Sequence, residues 1–441
     1  MNENNKNPIR IELESFSRVL QRLNDPSGSW NDVIIQSVDL APLDQRLSEV
    51  AIDGCQFMGC DIGPLLAKAI ADSQMQLDPQ KRCLVFPRIP WLPFNPYRSR
   101  LYQVEELLGR FESEDFYEAK CVYEKSVDWL SYLTFADPVD RKPYTNDSVD
   151  TVLARRLHDT AISDALDELL APIRDQKPGA KKGIVAIMGG HDMLRMEKIK
   201  AAAVSKALGD EEEWEPLNDD AVYTKVALLA WKLTNEGYLL VSGGGPGAME
   251  ATNLGAYFAT RSTSDLRAAI KTLEACKQFE SGKSVEWLIP AMKVRSDYPL
   301  DPSDAYKCQS VGIPTWFYGH EPPNPFPTHV AKHFENSVRE EGLLAIATHG
   351  VIFAEGNAGT VQEIFQDACQ NYYGSYGTAA PMILHGQDYW DPPAMPVYVN
   401  DRRKKVFPLV RKLAEEKGFT HRLIVTDSLR EIVQMIKKFE P

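Results

Sequence analysis

Features that would place this chain in several common protein classes are missing. There is no excess of basic residues: 49 Lys and Arg stand against 62 Asp and Glu, a formal net charge of −13. A protein whose main partner is nucleic acid needs clustered cations for the phosphate backbone, so no nucleic-acid partner is expected, although a small anion can still be held locally. No apolar run approaches the roughly 20 residues that a bilayer span requires, and the stretch MNENNKNPIRIELESF at the N-terminus has no apolar signal core. No membrane partner is expected either. Paired cysteines are also absent. The seven cysteines, at 55, 60, 83, 121, 276, 308 and 369, are odd in number, scattered and without CxxC spacing, which points to a reducing compartment and so to the cytoplasm.

Familiar chemical signatures are lacking too. There is no GxSxG elbow and no Walker lysine loop, and the glycine turns lack the full GxGxxG fingerprint with its downstream ribose acid, which disfavours a dinucleotide redox enzyme. His329 and His333 stand four apart on an expected helix with His320 upstream, but the intervening VAK supplies no general-base glutamate, so no metal site is expected. Cys55 and Cys60 read as buried thiols.

What is present is a set of glycine turns at strand ends. GVIFAEGNAGTVQE (350–363) is an apolar strand running into a glycine-rich turn and a helix that carries Glu363 in its first turn, with Thr360 and Glu363 at capping-box spacing. VSGGGPGAME (241–250) repeats the pattern and places Glu250 in the first helical turn, and GIVAIMGG (183–190) ends a third strand in Gly189 and Gly190. Glycines let backbone N–H groups approach an oxyanion, and a helix N-terminus favours a phosphate. On this basis Gly189, Gly190, Gly243, Gly244, Gly245 and Gly247, with Gly356, Asn357, Ala358, Gly359 and Thr360, are phosphate- or nucleotide-binding candidates. Glu250 and Glu363 are best explained as partners for ribose hydroxyls or a developing positive charge.

The chain has 441 residues, room for two or three domains. From 183 onward short apolar strands alternate with helices: a helix over 219–237, strand 238–244, helices near 246–259 and 264–280, a strand VEWLIP at 285–290, a helix over 329–342, then strands at 380–386 and 423–427 with helices at 402–417 and at the end. This order predicts an α/β fold, a Rossmann-like doubly wound parallel sheet with helices on both faces and ligands at the carboxyl ends of its strands. Residues 1–150 read as an α-rich or irregular extension of unclear role, 151–182 as a helix and linker, and 183–441 as the nucleotide-binding domain. FPRIPWLPFNPYRSR (86–100) reads as a packing segment, with a polyproline ligand as the alternative.

GGGPGAMEA together with the GTxxE loop resembles the LOG-type phosphoribohydrolases, long labelled "possible lysine decarboxylase", whose second motif is PGGxGTxxE. GHEPPNP (319–325) is similar to the larger bacterial pyrimidine/purine nucleotide 5'-monophosphate nucleosidases of that superfamily. The likeness covers roughly 183–430. It implies hydrolysis of the N-glycosidic bond of a nucleoside 5'-monophosphate without a cofactor, in a homo-oligomer, dimer or tetramer. Glu363 corresponds to the family's catalytic acid, and Arg339 to its upstream arginine, though one residue farther from the loop than the family spacing. Met193, His320, Glu321 and Asn324 are candidates for a base pocket. Two positions depart from the motif: Glu355 stands for its proline and Asn357 for its second glycine. No pyridoxal-binding lysine signature supports decarboxylation. A nucleotide-binding sensor on the same fold, without turnover, is the alternative, and a partner-recruiting protein is the third.

Overall fold

The segment IVAIM is apolar at every position, so it can sit only where both faces of a strand are covered. The computed structural model, which describes residues 11–136, 148–196, 220–317, 321–375, 377–395 and 401–441, places it at the centre of a seven-stranded sheet. With the first four strands reserved for a separate sheet, the strands here are β5 (Ile184–Met188), β6 (Leu239–Ser242), β7 (Ser310–Gly312), β8 (His329–Val330), β9 (Gly350–Phe353), β10 (Met382–His385) and β11 (Leu423–Thr426). Their order is β11-β10-β9-β5-β6-β7-β8, and every pairing is parallel. The chain winds outward from β5 to β8, then returns to the other side of β5 to lay down β9. Such a reversal opens a crevice at the carboxyl ends of the strands. The doubly wound α/β fold expected from the sequence is therefore present.

The core of this sheet includes Val185, Ile187, Leu240 and Ile352 with Leu229, Leu233, Leu254 and Ile432 from the covering helices. The helices Val222–Asn235, Ala248–Tyr257 and Thr263–Leu273 follow the expected pattern. Three elements differ. VEWLIP belongs to the helix Ser284–Asp297, which continues through Pro290; Val285, Leu288, Ala291 and Val294 are buried at three-residue steps, a helical stripe extending past the short apolar run. His329 lies on β8 and His333 pairs with Thr315 in an isolated bridge, so the two histidines lie in extended segments and share no helical face. The helix in this region starts only at Asn336 and ends at Ala345. The helix expected from 402 begins at Phe407, where Pro408 occupies the first turn.

Residues 11–100 are not an irregular extension. They form a second parallel sheet of β1 (Glu12–Leu13), β2 (Ile34–Gln36), β3 (Gln56–Met58) and β4 (Leu84–Phe86), around a core that includes Val33, Ile35 and Phe57. Strands this short carry too few residues for a period-two pattern to register. Cys55 and Cys60 lie buried in that core, and burial pushes their thiols up to about 12 and about 11 respectively. Residues 87–100 contain no helix or strand, and Phe94 and Tyr97 are buried, as a packing segment requires. The chain divides into two compact units, Met1–Arg100 with Asn146–Ala165, and Leu101–Thr145 with Leu166–Pro441. Residues 101–136 thus group with the larger sheet.

No helix among the described residues is long and apolar enough to cross a membrane.

Candidate functional site

Three strands of the larger sheet end in turns that bond to one another. Gly190 donates its N–H to the Glu355 carbonyl at 2.9 Å, and the Ala248 N–H donates to the Gly190 carbonyl at 3.1 Å. The turns after β5, β6 and β9 are therefore one unit, and the spacing leaves no room for side chains. A Cβ on Gly247, whose φ is +69°, would stand 2.3 Å from the Gly190 oxygen. A Cβ on Gly356 would meet Thr360 Oγ1 at 2.2 Å.

Above these turns lies a cleft of about 310 Å³. Of the sequence candidates, Gly189, Gly190, Gly243, Gly245, Asn357, Ala358, Gly359, Thr360, Glu321, Arg339 and Glu363 line it. Gly244, Gly247 and Gly356 sit beneath as packing points.

The helix Ala358–Tyr373 opens directly into the cleft. Its N-cap residue Asn357 makes no side-chain capping bond and instead donates from Nδ2 to Asp192 Oδ2 at 3.0 Å. Around Gly359 a side chain would meet nothing within 4 Å. Ala358, Gly359 and Thr360 of this first turn line the cleft, and a helix N-terminus at a cleft is the arrangement that receives an anion. The helix starts two residues before Thr360, so Thr360 does not cap it and Glu363 lies in the second turn. No capping box forms, so the alternative in which Glu363 merely caps the helix does not hold.

Glu363 lines the cleft, and burial pushes its carboxyl up to about 7, with Arg339 opposing and Glu340 adding to the rise. Arg339 is 9% exposed. Asn336 Oδ1 accepts from its Nε at 3.0 Å, and Glu340 Oε1 accepts weakly from its guanidinium at 3.5 Å. A Cβ on Gly243 would come within 3.1 Å of its NH1, so the glycine is what lets the guanidinium approach the β6 turn.

Glu321 also lines the cleft. Its Oε1 is buried without a hydrogen-bond partner, and burial raises its pKa against the pull of His191, Arg339 and Lys332. Lys332 Nζ holds the Glu321 carbonyl at 3.1 Å and Asp128 Oδ1 at 2.6 Å, while Trp316 Nε1 also donates to that carboxylate at 3.0 Å.

The remaining candidates do other work. Glu250 is fully buried, bonded by Arg195 through Nε and NH2 at 2.7 and 2.5 Å and by the Tyr223 hydroxyl at 2.9 Å. It faces a cation beneath the fold and not the cleft. Asn324 is buried and staples the β6 turn: its N–H donates to the Gly244 carbonyl at 2.8 Å and its Nδ2 to the Gly245 carbonyl at 3.1 Å. Met193 packs against the hydrophobic core. His320 lies outside the described residues. Asn357 has φ −100°, an ordinary value that needs no glycine. Glu355 is not among the cleft residues; its carboxyl is raised by burial and lies in the field of Arg402 and Lys225.

Among the residues that were not sequence candidates, His191 and Glu340 supply titratable groups on the wall, and Lys332 and Asp128 lie behind Glu321. Of these only His191 had a local signal, since it directly follows the Gly189-Gly190 turn.

Comparison with the models of known protein families gives no match for this chain, and comparison with curated proteins gives none either.

Proposed function

We propose that the chain hydrolyses the N-glycosidic bond of a nucleoside 5'-monophosphate, giving a free base and ribose 5-phosphate. The observation that carries this reading is the pairing, in one cleft, of an uncapped helix N-terminus with Glu363, an acid whose carboxyl is pushed up to about 7. The N–H groups of Ala358 to Thr360 take the phosphate. The ribose then lies over Glu363, one turn further along the same helix. Ionised Glu363 orients the attacking water, takes its proton and faces the positive charge that develops on the sugar. The C1'–N bond breaks with its electron pair going to the base, and a C1'–O bond forms to the water oxygen. Arg339 holds the phosphate or polarises the departing base, and Glu321, which lines the same cleft, faces the base. The resemblance to the LOG-type phosphoribohydrolases favours the same chemistry.

The sensor reading drew on Glu355 and Asn357. Glu355 does not line the cleft, and Asn357, which does, has a negative φ of −100° that needs no glycine. It retains no specific observation in its favour. The nucleosidase reading also carries a cytoplasmic homo-oligomer, which sedimentation of the purified chain tests.

The deciding experiment incubates the protein with each common nucleoside 5'-monophosphate and measures released base by chromatography, with Glu363→Gln beside it. Release that the variant lacks supports the reading. Nucleotide binding without release overturns it in favour of the sensor.

A further inference from the structure

A purine or pyrimidine that takes the electron pair of the broken C1'–N bond without a proton departs as an anion. A positioned acid that supplies the proton is worth about 10²–10⁴-fold. Glu363 takes a proton from the water and cannot at the same moment give one to the base, so the reaction calls for a second group.

The titratable side chains that line the cleft are His191, Glu321, Arg339, Glu340 and Glu363. An arginine does not give up its proton in a protein. Glu340 accepts with both oxygens, Oε1 from Arg339 at 3.5 Å and Oε2 from Gln362 Nε2 at 3.0 Å, as a carboxylate does. Glu321 Oε1 is enclosed, and a Cβ on Gly245 would stand 3.0 Å from it. His191 is exposed at the cleft. Burial raises the Glu321 carboxyl, and the charge that opposes the rise most is His191, ahead of Arg339 and Lys332. The imidazole therefore stands near Glu321, at the end of the cleft proposed for the base.

The chain holds His191 from both sides. Gly190 before it donates to the Glu355 carbonyl at 2.9 Å, and Asp192 after it accepts on Oδ2 from Asn357 Nδ2 at 3.0 Å and from Arg402 NH2 at 2.5 Å. The bonds to Glu355 and Asn357 both run to the turn that opens the helix carrying Glu363, so the turn that bears His191 keeps a fixed relation to that helix. The fit is close: a Cβ on Gly190 would stand 2.7 Å from Asp192 Oδ1, and one on Gly247 2.8 Å from the His191 carbonyl oxygen. Asn357, where the motif has glycine, thus supplies an anchor that glycine lacks.

We infer that His191 is a second catalytic residue of this cleft, the general acid that protonates the departing base; the inference rests on the proposed nucleosidase reading. The C1'–N electron pair goes to the base as the imidazolium passes it a proton, while the water oxygen bonds C1' and its proton goes to Glu363. Solvent then takes the proton from Glu363 and returns one to His191, so the net change is one water divided between sugar and base.

The test compares nucleotides that need this proton with nucleotides that do not. In 7-methyl-GMP and nicotinamide mononucleotide the base is already positive and leaves neutral, whereas GMP and UMP need the acid. Released base is measured for the unaltered chain, His191→Gln and Glu321→Gln. His191→Gln is expected to lower kcat by at least about 10²-fold on the ordinary nucleotides and by less than about threefold on the positive ones, and free imidazole should restore His191→Ala on the best ordinary nucleotide by at least about tenfold. Equal losses on both kinds of nucleotide, normal kcat in His191→Gln, or no rescue where the positive nucleotides are not accepted overturns the inference. The selective loss in Glu321→Gln alone would do so too, and would assign the acid to Glu321. Thermal unfolding of the variants verifies that they fold. In each of these cases the unaltered chain still releases base and the nucleosidase reading stands; no release from any common nucleoside 5'-monophosphate sinks that reading and the inference with it.

Discussion

Arg195 and Glu250 form a two-bond ion pair, at 2.5 and 2.7 Å, with side chains 1% and 0% exposed. Burial works against the charge on Arg195, but Glu250 more than offsets it and the guanidinium is held above its ordinary pKa. Removing one member leaves the other buried and uncompensated, a loss of about 3–5 kcal/mol. Glu250→Gln is therefore expected to lower unfolding free energy in urea by that amount, while nucleotide affinity, measured below the unfolding transition, stays within about threefold. A variant of normal stability and lost affinity would return Glu250 to the ligand site. Replacing both residues by methionine should recover much of the lost stability.

This pair marks where the sequence stops being informative. Glu250 and Glu363 look alike in the chain, each an acid just inside a helix after a glycine turn. They differ in what faces them: Arg195, 55 positions upstream, captures the first, whereas the second stands in an open cleft. Such non-local pairing leaves no local pattern. The sheet was legible because Ile184–Met188 and Leu239–Val241 are apolar at every position and each run leads into a glycine turn. Asp128 was not, because it lies in a stretch with no strand-and-glycine signal, and its partner Lys332 is 204 positions away. Asn324 had a motif to point to it, but the motif could not distinguish a residue that touches a ligand from one that staples the turn beneath.

Glu363→Gln removes the proton acceptor and leaves the helix N-terminus unchanged. A positioned general base contributes about 10²–10⁴-fold, so kcat for base release should fall by that factor with KM changed by less than about tenfold. Steady-state kinetics on the best nucleoside monophosphate measures both. Unaltered kcat would remove Glu363 from the reaction.

The same carboxyl sets a pH limb. Its conjugate base is the active form, and burial raises its pKa to about 7. Activity should therefore be low at pH 5, climb through pH 7 and level off above pH 8 in kcat/KM, which reports the free protein. A limb centred near 4.5, the ordinary glutamate value, would mean that some other group controls the rate.

Arg339 opposes that rise. Taking its charge away in Arg339→Gln should move the limb to higher pH and also lower kcat/KM by about 10²-fold at its plateau, the scale of one lost charge-stabilising donor. The pH profile separates this from a folding defect, which would lower the plateau without moving the limb. Arg339→Lys should keep most of the limb position, because the charge survives, but not the bond from Nε to Asn336.

Asp367 gives a stability prediction whose sign follows from linkage. Its carboxyl is raised by burial from the ordinary value of 3.8 to about 8, so the folded chain holds this proton over a range where the unfolded chain has lost it. The folded state is then favoured most below pH 4, and this contribution is lost as pH rises from there through about 8. Asn is nearly isosteric and cannot ionise. Asp367→Asn should therefore melt at a higher temperature than the unaltered chain at pH 8.5, by the equivalent of at least about 1 kcal/mol, and the difference should shrink toward zero at pH 4. Glu363 shares the sign, and its contribution fades through about 7, so the comparison is cleanest in a Glu363→Gln background. A gap that stays constant across the range would show that the gain comes from packing and that the Asp367 carboxyl does not titrate as its burial requires.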